Sequence, residues 1–268
     1  MKKILLSLLS TVTMLSVATS IQAQETFEVD GIKYEITDAS AQTVKIIDNW
    51  YTQKDYVLVS SVTHNDITYK VTEIGDYAFA SCYITGVVIP EGIEVIGERA
   101  FSNSTFTSLE LPSTVKSIGV NAFRECQNLK DLVLNEGLTT IDFAAFYSCV
   151  SLTEITLPST LTSINDAFMG SAFITTVVSK IQAPMTITYD TFHPEVYSKA
   201  VLQVPAGTKE AYEAVDCWRR FQTITETGTP TALHNTIINE EIQKKILNGQ
   251  LLILRDGKTY NVMGAEVK

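Results

Sequence analysis

Cysteine and histidine are scarce in this sequence, and basic residues are fewer than acidic ones. Four cysteines in 268 residues are too few for a small disulfide-dense domain. Three histidines leave little material for a histidine-rich metal site or a histidine general base. The 30 acidic and 20 basic side chains give a formal charge of −10, which disfavours nucleic-acid binding because phosphates attract Lys and Arg. A hydrophobic content of 45% still indicates a folded core.

Motifs of the common catalytic and cofactor sites are also missing. The sequence has no HExxH, GxSxG, P-loop, GxGxxG or calcium-loop pattern. We interpret His64, His193 and His234 as surface or turn residues. These observations predict a chain without a cofactor, a metal or an enzymatic activity. Acidic surface residues such as Asp131 and Glu154 still offer a carboxylate pair of the kind that hydrolyses glycosides, so a carbohydrate-related enzyme or accessory protein stays open as an alternative.

The first 23 residues have the layout of a secretory signal. Lys2 and Lys3 form a positive start, residues 4–17 are mostly apolar, and Ala23 places a small residue before the expected cleavage site. This apolar run is shorter than the roughly 20 residues that span a bilayer, which makes a membrane anchor the weaker interpretation. Cleavage takes the formal charge from −10 to −12, because the segment holds two lysines and no acidic residue. We predict export and no transmembrane helix in the mature chain.

One pattern recurs five times over residues 71–179. Each unit has an isoleucine, then an Ala-Phe pair, then a small residue, then two aliphatic residues that frame one variable residue. Successive phenylalanines lie 22, 22, 23 and 22 residues apart, a period within the range of leucine-rich repeats. These marker phenylalanines are Phe79, Phe101, Phe123, Phe146 and Phe168.

Each unit also contains a strand pattern close to L-x-x-L-x-L, as in Phe106-x-x-Leu109-x-Leu111. Period-two alternation points Leu109 and Leu111 inward and Glu110 outward. A single unit cannot bury its apolar side, whereas stacked units share one continuous core. We therefore predict a repeat solenoid, mostly β with short helical or irregular turns, of five 22- to 23-residue units plus caps. The marker phenylalanines should stack inside it.

The units resemble the BspA-type leucine-rich repeats of bacterial surface proteins, whose pattern is I-x-x-x-A-F-x-x-C-x-x-L-x-x-V-x-L-P. The third unit, from Ile118 through Cys126 to Leu129, Leu132 and Leu134, matches it almost fully. With its caps the resemblance covers about residues 27 to 226. It implies a solenoid fold and, since members of this family are implicated in adhesion and host-protein binding, a role in such contacts.

Residues 24–70 and 180–226 are predicted to cap the solenoid. In the first segment, alternating residues around Asp30-Gly31 predict a β-hairpin, and residues 56–71 predict a second. In the second segment, Thr208 is expected to cap a short helix, and Trp218 and Phe221 are expected to cover the last turn. An uncovered solenoid end exposes a sheet edge that favours aggregation.

Residues 227–268 are interpreted as a linker followed by a short β-rich tail. Apolar runs at residues 251–254 and 259–262 flank a predicted turn at residues 255–258. The tail resembles short C-terminal segments of secreted proteins in anaerobic Gram-negative bacteria, some of which are sorting signals. A small packing module without a transport role is an equal alternative. The resemblance implies the outer surface of a Gram-negative bacterium as the location.

Cysteine and serine alternate at one position of the repeat. Cys82, Cys126 and Cys149 follow their phenylalanine by three residues, and Ser104 and Ser171 take that place in the other units. A position that accepts either residue favours a small buried side chain. Adjacent strands lie about 4.8 Å apart, within disulfide range, so a bridge between Cys126 and Cys149 is the alternative, at the cost of a strained torsion.

The outward positions of the repeat strands form the candidate interaction surface. Solenoids bind partners on such extended sheets, and exposed β-branched apolar residues in mid-sheet favour contact, although strand propensity alone also explains them. The neighbouring strand positions Val95, Ser117, Thr140 and Ser163 are a second outward set. The candidate protein-binding residues are Val88, Glu110, Asp131, Val133, Glu154 and Thr156.

These observations together predict a secreted or surface-displayed, non-catalytic binding protein. Its expected partner is an extracellular or host protein, and nucleic acid is not expected. Besides the enzyme alternative above, an architectural envelope protein whose partner is another copy of itself stays open.

Overall fold

The computed structural model describes residues 25–49 and 55–227, together with the backbone of three strands within residues 243–261. The expected signal at residues 1–23 and most of the expected linker lie outside the described residues. No helix among the described residues is long and apolar enough to cross a membrane.

The chain begins with two β-hairpins. β1 (Thr26–Val29) and β2 (Ile32–Asp38) pair antiparallel around Asp30 and Gly31, both of which have positive φ as the Asp-Gly signal predicts. β3 (Thr43–Ile47) extends this sheet antiparallel to β2. After β4 (Tyr56–Val57), the second hairpin joins β5 (Ser61–His64) to β6 (Ile67–Ile74). β3 pairs with β6 in parallel, which attaches the first hairpin to the repeats.

Over residues 67–179, each turn of the chain contributes one strand to each of two parallel ladders. The isoleucine ladder continues from β6 and places Ile74, Ile96, Ile118, Ile141 and Ile164 side by side. Its further strands are β8 (Val95–Ile96), β10 (Ser117–Ile118), β12 (Thr140–Ile141) and β14 (Ser163–Ile164). These side chains are buried, because alternation directs every second residue into the core.

The second ladder carries the L-x-x-L-x-L strands. Its strands are β4, β7 (Val87–Val88), β9 (Ser108–Glu110), β11 (Asp131–Val133), β13 (Glu154–Leu157), β15 (Thr176–Ser179), β16 (Val201–Val204) and β17 (Thr223–Glu226). Hydrogen bonds group them into three parallel segments, β4 with β7, β9 with β11, and β13 with β15, β16 and β17, which follow one another along the coil. All of its ladder pairs are parallel. The described chain therefore makes about eight turns, against the five repeat units predicted, because β4, β16 and β17 extend the coil without the Ala-Phe marker.

The marker phenylalanines stack along the core, as predicted. Consecutive rings from Phe79 to Phe168 lie 5.1 to 5.5 Å apart with interplanar angles of 5 to 8°. Phe192 adds a sixth ring 5.8 Å from Phe168, where the backbones form a parallel bridge. All six side chains are fully buried. Together, the isoleucine ladder and the phenylalanine stack bury aliphatic and aromatic area that no single unit could bury alone.

Within residues 25–49 and 55–227, helices occur at the C-terminal end of the coil. They are a 3₁₀ turn (Tyr189–Thr191), α1 (Pro194–Lys199), α2 (Lys209–Ala214) and a second 3₁₀ turn (Trp218–Arg220). The rings of Trp218 and Phe221 lie 6.0 and 5.6 Å from Phe192, so they cover the end of the aromatic stack as predicted.

The predicted capping role of Thr208 is wrong. Thr208 does precede α2, but its hydroxyl donates back to the carbonyl of Pro205 at 2.8 Å. The free backbone N–H of Lys209 donates instead to the carboxylate of Glu226 at 3.0 Å. The cap therefore comes from β17, seventeen residues away in the chain, which local sequence does not reveal.

The tail contains three strands that form one antiparallel sheet. These are β18 (Gln243–Leu247), β19 (Gln250–Arg255) and β20 (Lys258–Asn261). β19 and β20 pair from Leu252↔Asn261 to Arg255↔Lys258, at the place of the predicted hairpin. β18 pairs with β19 and was not predicted.

The turns that follow the second ladder alternate between two chemistries. We number the turns from the unit that contains Phe79. Glu91-Gly92 and Glu136-Gly137 then occur in turns one and three, and Ser-Thr pairs occur in turns two and four. The Glu91 carboxylate accepts hydrogen bonds from the N–H and hydroxyl of Ser113 and from the N–H of Thr114, at 3.0 to 3.2 Å. Glu136 accepts the equivalent bonds from Ser159. Each glutamate turn thus binds the Ser-Thr turn that follows it.

Candidate binding surface

The six candidate residues lie on the outward side of the second ladder, which we call the strand face. Its side chains come from alternate positions of β4, β7, β9, β11, β13, β15, β16 and β17. Val88 and Val133 are 57% and 46% exposed. Glu110, Asp131 and Glu154 are exposed, and Thr156 is half-buried beside its register partner Val178. Parallel register pairs Val133 with Glu110, so apolar and acidic side chains are direct neighbours.

Three carboxylates on successive turns give the strand face its charge. Glu110, Asp131 and Glu154 form no ion pair or side-chain hydrogen bond with the described residues. Asp131 and Glu154 occupy the same outward position of adjacent turns, on the neighbouring strands β11 and β13. Like charges on neighbouring strands repel each other in the free protein, so a cationic neighbour is favoured there.

The face extends one turn further toward the N-terminus than the sequence reasoning placed it. Val57 on β4 is 73% exposed and pairs in register with Val88. The Asp55 carboxylate accepts a hydrogen bond from the Thr85 hydroxyl at 2.5 Å. A Cβ on Gly86 would lie 3.0 Å from the same carboxylate, so a larger residue there would require the Asp55 side chain to shift. Val57 was missed because its turn has no marker phenylalanine.

A groove of about 320 Å³ crosses the strand face beside Val88. Val88, Glu110, Pro112 and Asn135 contribute to its lining. The Asn135 amide donates to the carbonyl of Leu111, replacing the proline found at this position in other turns. Asn135 therefore adds a polar side chain to the groove lining and satisfies a backbone carbonyl.

The second outward set is only half-exposed. Val95, Ser117, Thr140 and Ser163 are each partly covered, and they pair in register along the isoleucine ladder. They carry no charge, and their side chains are short. This side of the coil therefore offers less contact area than the strand face.

The cysteines are buried thiols in the structure. The thiols of Cys126 and Cys149 each donate to the carbonyl of the marker phenylalanine one turn earlier, at 3.3 Å. Ser171 makes the same bond through its hydroxyl at 2.9 Å. Burial raises the pKa of the Cys126 thiol to about 12 and raises that of Cys149 well above its ordinary value. Thiols with raised pKa values are poor nucleophiles at neutral pH.

The two described histidines, His64 and His193, lie in different elements. His64 stacks on Phe27, with ring centroids 4.3 Å apart, and His193 precedes α1 and accepts from the Glu195 N–H. His234 lies outside the described residues. Within the described residues, no group of three His, Cys, Asp or Glu side chains is placed to hold a metal ion.

The family follows from the repeats. A model of the BspA type leucine-rich repeat region matches residues 53–190 in six copies. The chain belongs to the BspA-type leucine-rich repeat family. None of the curated proteins matches the chain significantly.

Two solved structures share the fold of this BspA-type chain. A leucine-rich repeat protein of T. pallidum is 24% identical, with a TM-score of 0.51 over 57% of this chain and 71% of that one. A leucine rich cell surface protein from Faecalibacterium prausnitzii A2-165 is 21% identical, with a TM-score of 0.52 over 90% of this chain. The BspA-type chain spans 61% of that second protein. Both similarities show a common repeat-solenoid fold.

Proposed function

We propose that this BspA-type protein is exported and displayed at the cell surface, where it binds an extracellular or host protein without catalysis. The strand face is the binding surface. The main observation in its support is that Val88 and Val133 are exposed among three carboxylates that have no partner in the described structure. Membership of the family supports the proposal, and so does the signal-like layout of residues 1–23.

The chemistry of the strand face sets the kind of partner. Valine side chains supply apolar contact area, and each well-buried one contributes about 1.5 kcal/mol or more on full desolvation. Unpaired carboxylates beside them favour a partner surface with Lys or Arg and accelerate encounter with it. The same charges disfavour a second copy of this acidic chain, since two such faces repel when they meet.

A four-residue variant tests the proposal. Val88→Thr, Glu110→Gln, Val133→Thr and Glu154→Gln keep size and strand propensity while removing apolar area and charge. The mature protein and this variant are compared by surface plasmon resonance on a panel of purified extracellular-matrix proteins. We expect binding by the wild type that the variant loses, with an unchanged melting temperature because all four residues are solvent-exposed.

A matched control makes the same kinds of change elsewhere, at two β-branched apolar residues and two carboxylates. Ile67→Thr, Val150→Thr, Asp190→Asn and Glu210→Gln also lie on exposed positions, away from the strand face, and this control should keep the binding. Binding that survives the strand-face variant identifies the strand face as the wrong surface. The alternative of an enzyme that uses surface carboxylates is tested by screening the protein for turnover of glycans and peptides. An activity that is lost in Asp131→Asn or Glu154→Gln would overturn a purely binding role.

A further inference from the structure

A second concave site lies beside the strand face, on the loops that lead into the strands. It is a groove of about 220 Å³ lined by residues of three successive turns. Because adjacent turns lie about 4.8 Å apart, the groove is roughly 10 Å long. Its lining residues are Tyr83, Asn103, Ser104, Thr105, Glu125, Gln127 and Asn128.

A change of loop length accounts for this groove. In turns one and two, the first strand-pattern residue follows the marker phenylalanine by five positions, as from Phe101 to Phe106. From turn three onward it follows by six, as from Phe123 to Leu129. The longer loop carries Gln127 and Asn128, whereas the shorter loop before it has only Thr105 at that point. The resulting step between turns two and three leaves a concave surface.

An exposed aromatic ring forms one wall of the groove. Tyr83 is 52% exposed, and its ring makes no contact with another aromatic ring or cation among the described residues. Its backbone has a φ of +50°, a left-handed conformation that is unusual for a bulky residue. The ring of Tyr83 is therefore open to solvent at the edge of the groove.

The opposite wall offers neutral hydrogen-bonding groups without partners. The side-chain amides of Asn103 and Gln127 make no hydrogen bond with the described residues, and Asn128 uses only its N–H, on the Thr105 carbonyl at 3.3 Å. Ser104 is buried, and its hydroxyl has no partner within the described chain. Each of the three amides can both donate and accept.

The charge of the groove restricts the ligand further. No lysine or arginine lines it, and its only carboxylate, that of Glu125, is held by Arg124 at 2.9 Å. Phosphates and other anions therefore find no counter-charge there. A volume of 220 Å³ is below the roughly 300 Å³ of pockets for drug-sized molecules, so the ligand is small.

We propose that this groove binds a neutral saccharide of one or two rings. The apolar C–H face of a sugar ring stacks on Tyr83, and its hydroxyls exchange hydrogen bonds with the amides of Asn103, Gln127 and Asn128. The site is separate from the strand face, so saccharide binding neither requires nor replaces the protein contact proposed above.

Saturation-transfer NMR on the mature protein tests this site with four disaccharides: lactose, maltose, cellobiose and N,N′-diacetylchitobiose. We expect at least one to receive saturation at its ring protons. Tyr83→Gly removes the aromatic wall and suits the positive φ, so this variant should remain folded while its affinity falls about tenfold. Asn103→Ala combined with Gln127→Ala removes the opposing amides and should lower affinity similarly.

Two controls separate this groove from general surface effects. Phe173 is 63% exposed on the corresponding loop of turn five, outside the groove, so Phe173→Ala should leave saccharide binding unchanged. The four-residue strand-face variant should also bind saccharide normally. The proposal is overturned if no disaccharide receives saturation at millimolar concentration, or if saturation persists unchanged in Tyr83→Gly.

Discussion

The position three residues after each marker phenylalanine shows how one buried polar atom distinguishes otherwise similar turns. At Cys126, Cys149 and Ser171 the side chain donates to a phenylalanine carbonyl one turn earlier. Ser171 also accepts the N–H of Cys149 at 3.0 Å. The hydroxyl of Ser104 is buried without a partner in the described structure. A buried polar group without a partner costs stability that a paired one does not.

Opposite effects are therefore expected from the same substitution at two serines. Ser104→Ala removes an unpaired hydroxyl and should raise the free energy of unfolding by up to about 1 kcal/mol. Ser171→Ala removes a paired hydroxyl and should lower it by about 1 to 3 kcal/mol. Urea denaturation of both variants measures the difference. Equal losses at the two positions would show that the Ser104 hydroxyl is satisfied in the folded protein.

At the level of elements, the glutamate turns join neighbouring coils through charge-assisted hydrogen bonds. Backbone and hydroxyl donors of Ser113, followed by the N–H of Thr114, hold the pKa of Glu91 below its ordinary value. For Glu136, partial desolvation acts to raise the pKa, but hydrogen bonds from Ser159 and Lys180 outweigh it and the pKa is lowered. A lowered pKa means that the folded state prefers the ionised carboxylate.

The stabilisation from Glu91 should depend on pH. It is fully present above the ordinary glutamate pKa of 4.5 and is lost as the pH falls through the lowered value in the folded state. Glu91→Gln should therefore lower the melting temperature slightly at pH 7, and the difference from wild type should shrink as the pH falls below 4.5. Glu210→Gln, on exposed α2, is the control. A difference that stays constant between pH 7 and pH 3 would contradict this role of the charge.

Sequence reasoning predicted the elements that repeat and missed those that depend on distant parts of the chain. The Ile and Phe columns are visible because each turn uses the same residue type at the same place. β4, β16 and β17 lack the Ala-Phe marker, so the extra turns were not counted. The Glu226 cap of α2 lies beyond any local pattern. The groove at Tyr83 arises where the spacing from the marker phenylalanine to the first strand-pattern residue changes from five to six. This change is present in the sequence, but aligning the repeats by their phenylalanines and isoleucines does not draw attention to it.

The candidate surface was predicted in position but not in extent. Alternation within each strand correctly placed Val88, Glu110 and Val133 outward, because period two is a property of the strand itself. The half-burial of Thr156 depends on its neighbour Val178, and the exposure of Val57 depends on the pairing of β4 with β7. Both are tertiary relations that a single strand does not encode.

At the scale of the whole molecule, the aromatic stack connects the N-terminal turns to the C-terminal cap. Tyr56 contacts Phe79 at 4.9 Å, five further stacked pairs follow, and Trp218 closes the series. Each ring of the stack contacts aromatic rings of its own turn or of the adjacent turns. Stability is therefore transmitted from one turn to the next along the shared core.

Removing a ring from the middle of this stack should be far more damaging than removing an exposed one. Phe123→Ala leaves a cavity between Phe101 and Phe146 and should cost about 3 to 5 kcal/mol. Phe173→Ala should change stability by less than about 0.5 kcal/mol, because that ring is exposed. Chemical denaturation followed by circular dichroism measures both. Comparable losses for the two variants would show that the stack does not support the coil.

The alternation of glutamate and Ser-Thr turns limits how the rod can change length. Duplication of a single turn places two glutamate turns, or two Ser-Thr turns, next to each other, so either carboxylates repel or hydroxyls lose their acceptor. Duplication of a pair keeps every donor opposite an acceptor. Turns one and two, and turns three and four, therefore form pairs that can be duplicated together. Coils that differ in length by an even number of turns are the ones this architecture tolerates best.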